Sequence, residues 1–167
     1  MKITEKYVFF YKSWLSQWNY SDFVLEGITF PYAEKWMMWS KAKLFNDQES
    51  MKKILAATHP KIDQDLGRHV SGYNQKLWDA NKYEIVKSGN LARFSQNEEL
   101  MRRLLSFGDR KFVEVSPIDK VWGIGLSEDD PLIEDENNWL GQNLLGEVLT
   151  EVRDILARNN PVSSNGK

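Results

Sequence analysis

One acidic and one basic side chain fall inside the apolar stripe of the helical segment that follows Pro31. At about 100° per residue, Glu34 and Lys41 share an arc with four apolar residues. Those residues are Met37, Met38, Leu44 and Phe45. Burying an unpaired charge costs several kcal/mol, so such groups are normally paired or face a cleft. The pattern predicts a cleft into which a carboxyl group and an amine point, and such groups transfer protons or attack electrophiles.

The alternative is a buried structural ion pair completed by other partners. The two charged residues are about 10.5 Å apart along the helix axis, which is long for a direct contact between them. Lys35 and Lys43 fall on the opposite side of the same helix. Charged residues on that side normally face solvent, so both lysines are expected to be exposed.

A second candidate segment follows a predicted strand at 112–115. Asp119 and Trp122 come directly before two closely spaced glycines, Gly123 and Gly125. Loops that leave a strand are frequent functional sites because the sheet fixes their position. Glycine lets the backbone approach a ligand or adopt a positive φ. The segment therefore predicts a binding loop, with a plain turn as the alternative.

The composition limits the other chemistries that the chain can carry out. Its 167 residues contain no cysteine and only two histidines, His59 and His69, so thiolate nucleophiles and histidine-rich metal centres are poorly supported. We expect neither a metal nor a cofactor. The formal charge of −2 lacks the basic excess typical of proteins that hold DNA by its phosphates, so tight sequence-specific DNA binding is not expected. Seven tryptophans offer surfaces for core packing or for stacking on bases.

The balance of residues is that of a soluble globular protein, with 41% hydrophobic and 28% charged residues. No window approaches the ~18 apolar residues that are needed to span a bilayer. The first residues lack the apolar core of a secretory signal. We therefore expect no membrane contact and a cytoplasmic location.

The hydrophobic patterns predict an α+β fold, a mostly helical single domain with a small sheet and a hairpin. Strands are predicted at 6–11 and 112–115, and Glu26-Gly27 between two apolar runs predicts a hairpin. The predicted helices cover 32–45, 50–58, 62–70, 74–88, 95–106 and 141–158. Ser95 and Glu98 form a capping box for the fifth of them. One domain is expected at 1–158, followed by a polar, disordered tail at 159–167.

Several runs of residues, taken together, resemble the NADAR (YbiA-like) family. They are Phe30-Pro31-Tyr32-Ala33-Glu34-Lys35-Trp36-Met37-Met38-Trp39-Ser40-Lys41-Ala42, Leu66-Gly67-Arg68, Gly89-Asn90, Glu114-Val115-Ser116-Pro117-Ile118-Asp119-Lys120-Val121-Trp122-Gly123-Ile124-Gly125-Leu126 and Trp139-Leu140-Gly141-Gln142-Asn143. Their order and spacing agree with the family from about Phe9 to Leu156. The resemblance therefore covers nearly the whole chain.

This resemblance implies a helix-rich α+β fold and hydrolysis of a ribose N-glycosidic bond. One branch of the family removes ADP-ribose from guanine bases and so reverses DarT-type toxins. Another branch cleaves phosphorylated ribosylamino-pyrimidine intermediates of riboflavin synthesis. The motifs at 36–42 and 122–126 are more similar to the first branch, so ADP-ribosylated guanine in DNA is the expected substrate and a ribosylamino-pyrimidine phosphate the alternative. An alternative of another class is a non-catalytic antitoxin or nucleotide-binding module.

The residue patterns and the resemblance together assign roles to particular residues. The expected catalytic residues are Glu34, Lys41 and Asp119. Glu34 would transfer a proton, Lys41 would stabilise negative charge or form an imine with an opened ribose, and Asp119 would orient water or bind ribose hydroxyls. The residues expected to bind substrate are Ser16, Gln17, Trp18, Arg68, Trp78, Trp122, Gly123 and Gly125. The tryptophans would stack on a base, and Arg68 would bind a phosphate. The family's early Ser-Asn-aromatic motif has a glutamine, Gln17, at its second position here.

Overall fold

The structure, a computed structural model, describes residues 1–161. Its five strands and six α-helices form the α+β domain that the sequence predicts. The strands are β1 (Lys2–Ile3), β2 (Tyr7–Phe10), β3 (Phe23–Leu25), β4 (Ile28–Phe30) and β5 (Lys111–Glu114). The helices are α1 (Ala33–Leu44), α2 (Gln48–Ala56), α3 (Pro60–Arg68), α4 (Gln75–Ser95), α5 (Glu98–Leu105) and α6 (Leu144–Asn159), with a 3-10 turn at Glu136–Asn138. Residues 162–167 of the predicted tail lie outside the described residues, and Asn159 ends α6 instead of opening the tail.

Three strands form one small sheet in the order β1-β2-β5. Strand β1 runs antiparallel to β2, whereas β2 and β5 are parallel, with Phe10 opposite Glu114 at their last residues. The carboxyl ends of β2 and β5 therefore meet at the same edge of the sheet. The chain leaves this edge twice, into the loop 11–20 and into the loop 115–125, so the sheet fixes where both loops begin.

The hairpin is confirmed. Strands β3 and β4 pair antiparallel, and Glu26 and Gly27 connect them with φ values of 51° and 73°. Two consecutive positive φ values are the geometry of the tight turns that match the twist of a two-residue hairpin.

The predicted capping box at Ser95 is wrong. Helix α4 extends to Ser95, so this residue lies in the last turn of α4 rather than before α5. Asn97 caps α5 instead, because its side chain accepts a hydrogen bond of 3.1 Å from the backbone N–H of Leu100. Asparagine is as good a capping residue as serine, and the sequence Ser95-Gln96-Asn97 offers both.

Helix α1 is buried on nearly all sides, which overturns the expectation that Lys35 faces solvent. Lys35 is only 3% exposed, and its Nζ donates to the carbonyls of Ile54 and Ala57 and forms an ion pair of 3.2 Å with Asp63. Tyr32 donates its hydroxyl proton to the same carboxylate. Helices α2 and α3 cover this face of α1, and the helical period cannot reveal such a partner. Lys43 is exposed as expected.

No helix within residues 1–161 is both long enough and apolar enough to cross a membrane.

Candidate active site

A cavity of about 1290 Å³ opens at the sheet edge where β2 and β5 end. Its walls are the loop 11–20, one face of α1, the end of α3, the start of α4 and the loop 116–122. The predicted site residues that line it are Ser16, Gln17, Trp18, Glu34, Lys41, Arg68, Trp78, Asp119 and Trp122. The structure thus brings together residues that are more than a hundred positions apart in the chain, from Ser16 to Trp122.

Glu34 is a buried carboxyl group, 6% exposed, at the first turn of α1. Burial raises its pKa to about 7, and the negative charges of Asp63 and Asp119 act in the same direction. The positive charges of Arg68 and Lys41 oppose the rise. A carboxyl group with a pKa near neutrality can both accept and release a proton, which suits it to acid–base catalysis.

Lys41 reaches the same cavity from two turns further along α1. Burial lowers the pKa of its amine, the Glu34 charge opposes this, and the Arg68 charge adds to it. The Nζ atom lies 4.7 Å from the ring centre of Tyr73 and 5.3 Å from that of Trp78. Two aromatic faces therefore hold this cation in place, and a lowered pKa increases the share of neutral, nucleophilic amine.

Asp119 is held in position by the turn that it opens. Its Oδ1 accepts hydrogen bonds from the backbone N–H groups of Val121 (2.9 Å) and Trp122 (2.8 Å), and its own N–H donates to Ser116 Oγ at 3.2 Å. The turn fixes Oδ1 on the protein side, so Oδ2 is the oxygen available to a ligand.

The N-terminus of α6 anchors the same loop. Four backbone N–H groups at its start donate to loop carbonyls at 2.9–3.1 Å, from Gln142 to Lys120, Asn143 to Gly123, Leu144 to Val121 and Leu145 to Trp122. The first N–H groups of a helix have no partners within the helix. Here the loop supplies those partners, so α6 and the binding loop stabilise each other.

Gly123 and Gly125 are not among the residues that line the cavity, and their role in substrate binding stays a prediction. A Cβ at Gly123 would lie 2.9 Å from the carbonyl oxygen of Glu114 and 3.0 Å from that of Asp119. Gly125 has a φ of 72°. Close packing therefore requires glycine at position 123, and the positive φ favours glycine at position 125.

Gly141 is the position where a single methyl group would disturb this loop most directly. A Cβ there would lie 2.7 Å from Lys120 Cα and 2.8 Å from Lys120 O, and it would also overlap the carbonyl of Gly123. These neighbours are backbone atoms next to Asp119 and cannot rotate away. We expect Gly141→Ala to lower the free energy of unfolding by about 3 kcal/mol, because overpacking of this kind forces backbone shifts.

Denaturant unfolding would measure the loss, and Gly27→Ala is the matched control. Gly27 has a positive φ, but among the described residues no atom lies within 4 Å of an added Cβ. Only the conformational cost of about 1 kcal/mol should appear there. Equal losses in the two variants would show that the contact with the loop is unimportant.

The loop 11–20 forms the opposite wall and rests on buried polar side chains of α4. Arg93, which is fully buried, donates to the carbonyls of Ser16 (2.8 Å) and Trp14 (2.6 Å). Asn90 donates to Gln17 Oε1 at 2.7 Å. The amide oxygen of Gln17 is thus already engaged by the protein, and its Nε2 faces Met37 Sδ at 3.8 Å.

Trp18 and Arg68 lie at the mouth of the cavity. Trp18 is 37% exposed and meets the His59 ring edge-on, with 6.0 Å between ring centres. The side chain of Arg68 is 62% exposed and lies 3.7 Å from Asp65. Trp78 and Trp122 lie deeper. The mouth thus combines an exposed aromatic ring with an exposed cation, which fits a base and a phosphate.

The sequence reading missed Glu114, the last residue of β5. It lines the cavity, and its Oε2 is buried without a hydrogen-bond partner among residues 1–161. Burial raises its pKa to about 8, with Asp119 and Glu34 adding to the rise. The available signal was a carboxylate between Val113 and Val115 in an apolar strand.

Within the part of the chain that the structure describes, no group of three or more histidine, cysteine, aspartate or glutamate residues is placed to hold a metal ion. The expectation of a metal-independent reaction stays a prediction.

Comparison with known proteins finds relatives along most of the chain. The model of the NADAR domain matches residues 7–157. An N-glycosidase of Acanthamoeba polyphaga mimivirus is 41% identical over 164 residues, covering 90% of this chain and 96% of that protein. The N-glycosidase YbiA of Escherichia coli strain K12 is 29% identical over 133 residues, covering 80% of this chain and 74% of that protein.

The NMR structure of the Escherichia coli protein YbiA has the same fold. It superposes with a TM-score of 0.76 at 24% sequence identity and covers 99% of this chain and 94% of that chain. The fold, the extent of the family match and the similarity to the viral enzyme agree, and the chain belongs to the NADAR domain family.

Proposed function

We propose that this N-glycosidase removes ADP-ribose from guanine bases in nucleic acid. The observation that carries the proposal is the cavity, whose volume of about 1290 Å³ exceeds the ~300–1,000 Å³ of ordinary small-molecule pockets. ADP-ribose attached to guanine contains two bases, two riboses and a pyrophosphate, and needs a site of this size. A ribosylamino-pyrimidine phosphate has one base and one phosphate and would leave much of it unfilled.

The chemistry of the walls supports the same substrate class. Aromatic rings stand both at the mouth, in Trp18, and deeper, in Trp78 and Trp122, so two bases could each find a stacking partner. Arg68 and Lys120 also line the cavity, and their positive charges are suited to the pyrophosphate.

Cleavage of the bond between ribose C1 and the base nitrogen develops positive charge at C1 and negative charge on the nitrogen. Glu34 exchanges the proton that the reaction requires, and Asp119 Oδ2 orients water or binds ribose hydroxyls. Lys41 either stabilises negative charge or attacks C1 of an opened ribose to form an imine.

The test is the release of ADP-ribose from an oligonucleotide that carries ADP-ribosylated guanine, followed by mass spectrometry. We expect free ADP-ribose to compete as product. Activity should fall only gently with salt, with a log–log slope no steeper than about −4, since at most four cationic side chains of the described cavity wall could contact phosphates. The four cationic side chains that line the cavity are Lys12, Lys41, Arg68 and Lys120.

Two results would overturn the substrate assignment. A slope several times steeper would indicate an enzyme that follows the DNA backbone. Faster hydrolysis of ribosylamino-pyrimidine phosphate, without inhibition by ADP-ribose, would indicate the metabolic substrate. A non-catalytic binder would retain its effect in Glu34→Ala, and the buried carboxyl groups facing this cavity argue against that class.

A further inference from the structure

Glu114 carries an unused carboxyl oxygen at the centre of the site. It ends the strand that leads into the binding loop, and its side chain lines the same cavity as Glu34 and Asp119. Its Oε2 is buried, and no donor contacts it within the described chain. Burying an ionised carboxylate oxygen that has no hydrogen-bond donor costs free energy. A protonated carboxyl group avoids much of this cost, and it can donate its proton to an acceptor on the protein or on a ligand.

The surrounding charges decide which of the carboxyl groups holds a proton. Three carboxyl groups close enough to influence one another cannot all be ionised without strong repulsion. Asp119 has one of its oxygens engaged by two backbone N–H groups. Glu34 lies near the negative charges of Asp63 and Asp119, but the positive charges of Arg68 and Lys41 oppose them. The charges that act on Glu114 are those of Asp119 and Glu34, both negative, so of the two glutamates Glu114 keeps its proton to the higher pH.

We propose that Glu114 is a further catalytic residue, whose protonated carboxyl group donates a proton to the departing base nitrogen while the Glu34 carboxylate accepts one from the attacking water. The C1–N bond breaks and its electron pair moves to the nitrogen, which takes the proton of Glu114. The water oxygen bonds to C1, and the proton that it loses passes to Glu34. A proton then returns from Glu34 to Glu114 through solvent, which restores the enzyme.

The inference depends on the N-glycosidase reaction and not on the identity of the leaving base. If Lys41 attacks C1 in place of water, the departing nitrogen still receives the electron pair and still needs a proton. Glycosidases commonly use two carboxyl groups, a protonated one as general acid and an ionised one as general base.

The variant that tests the proposal is Glu114→Gln, which keeps the size of the side chain and removes the transferable proton. We expect kcat to fall about 100-fold, the lower end of the range for a lost general acid, with KM changed less than threefold. The wild-type profile of kcat/KM should fall above about pH 8, as the pKa of Glu114 requires. This alkaline limb should be absent in Glu114→Gln.

Two further variants keep the result interpretable. Glu114→Asp keeps a carboxyl group but shortens the side chain by one methylene group. This variant should therefore keep partial activity, and its kcat/KM should still fall at alkaline pH. Glu147→Gln removes a partly exposed carboxylate that pairs with Lys111 beside β5 and should leave kcat unchanged.

The assay uses whichever of the two candidate substrates the wild type cleaves, so failure of the substrate proposal does not affect it. Loss of kcat below threefold in Glu114→Gln, or an unchanged alkaline limb, overturns the assignment.

A measurement without substrate completes the test. Infrared spectroscopy in heavy water at pH 7 should show the C=O band of a protonated carboxyl group in the wild type and in Glu147→Gln, and a weaker band in Glu114→Gln. A band of wild-type strength in Glu114→Gln would place the proton elsewhere and refute the proposal even if activity were lost.

Discussion

Glu34→Gln is expected to lower kcat by about 1000-fold, within the range for loss of a general base. The carboxyl group lies in the first turn of α1, where its backbone N–H donates to Gln17 O at 3.0 Å, so the position of the residue does not depend on its charge. Glutamine keeps the volume and loses the ability to accept the proton of water. The measurement is kcat and kcat/KM on the substrate that the wild type cleaves.

The pH dependence gives the loss a specific signature. Burial, aided by Asp63 and Asp119, raises the pKa of Glu34 to about 7. The base must be ionised to act, so wild-type activity should rise with pH through about 7. This acidic limb should disappear in Glu34→Gln. Because Glu34 interacts with Glu114, the two values that a profile reports belong to the pair.

Stability supplies the control that separates a catalytic role from a structural one. The folded-state pKa of Glu34 lies above its ordinary value of 4.5, so the native state binds more protons than the unfolded state between pH 4.5 and about 7. The contribution of Glu34 to the free energy of unfolding therefore decreases as the pH rises through that window. At pH 8, Glu34→Gln should be at least as stable as the wild type. A variant that is both inactive and strongly destabilised would indicate a structural residue.

The helical period was enough to find Glu34 and Lys41, because an unexpected charge in an apolar stripe is visible in one helix alone. It failed for Lys35, whose burial depends on α2 and α3 packing against the other side of α1 and supplying Asp63 and two carbonyls. Such partners come from distant parts of the chain. The same limitation applies to Glu114, because a carboxylate at the end of a strand is expected to be solvated and its burial depends on residues that are distant in the chain.

The loop 115–125 shows the opposite case. Its functional importance was predicted from the end of a strand, and Asp119 and Trp122 do line the cavity. The role of its glycines was not predictable, because a glycine that approaches a ligand and one that approaches another backbone look alike in sequence. A Cβ at Gly123 would lie 2.9 Å from the carbonyl oxygen of Glu114 and 3.0 Å from that of Asp119, so packing within the loop is sufficient to require glycine there.

Lys41→Met is expected to lower kcat by about 1000-fold. Its amine faces the cavity between the rings of Tyr73 and Trp78, and methionine fills the same channel without charge or nucleophile. Removal of one preorganised electrostatic group costs about 100- to 1000-fold, and loss of a nucleophile at least as much. Lys43→Met is the matched control, because Lys43 lies on the exposed side of the same helix and pairs with Glu26 at 2.6 Å. This control should retain wild-type kcat.

Lys41→Arg separates the two roles that remain open for the amine. Arginine keeps the positive charge but cannot form an imine. Recovery of much of the lost activity in Lys41→Arg would therefore identify an electrostatic role. An arginine variant as inactive as Lys41→Met, together with a covalent adduct of the wild type after borohydride reduction in the presence of substrate, would identify an imine. A kcat within tenfold of the wild type in Lys41→Met would contradict both roles and leave Lys41 as a residue that only packs against Tyr73 and Trp78.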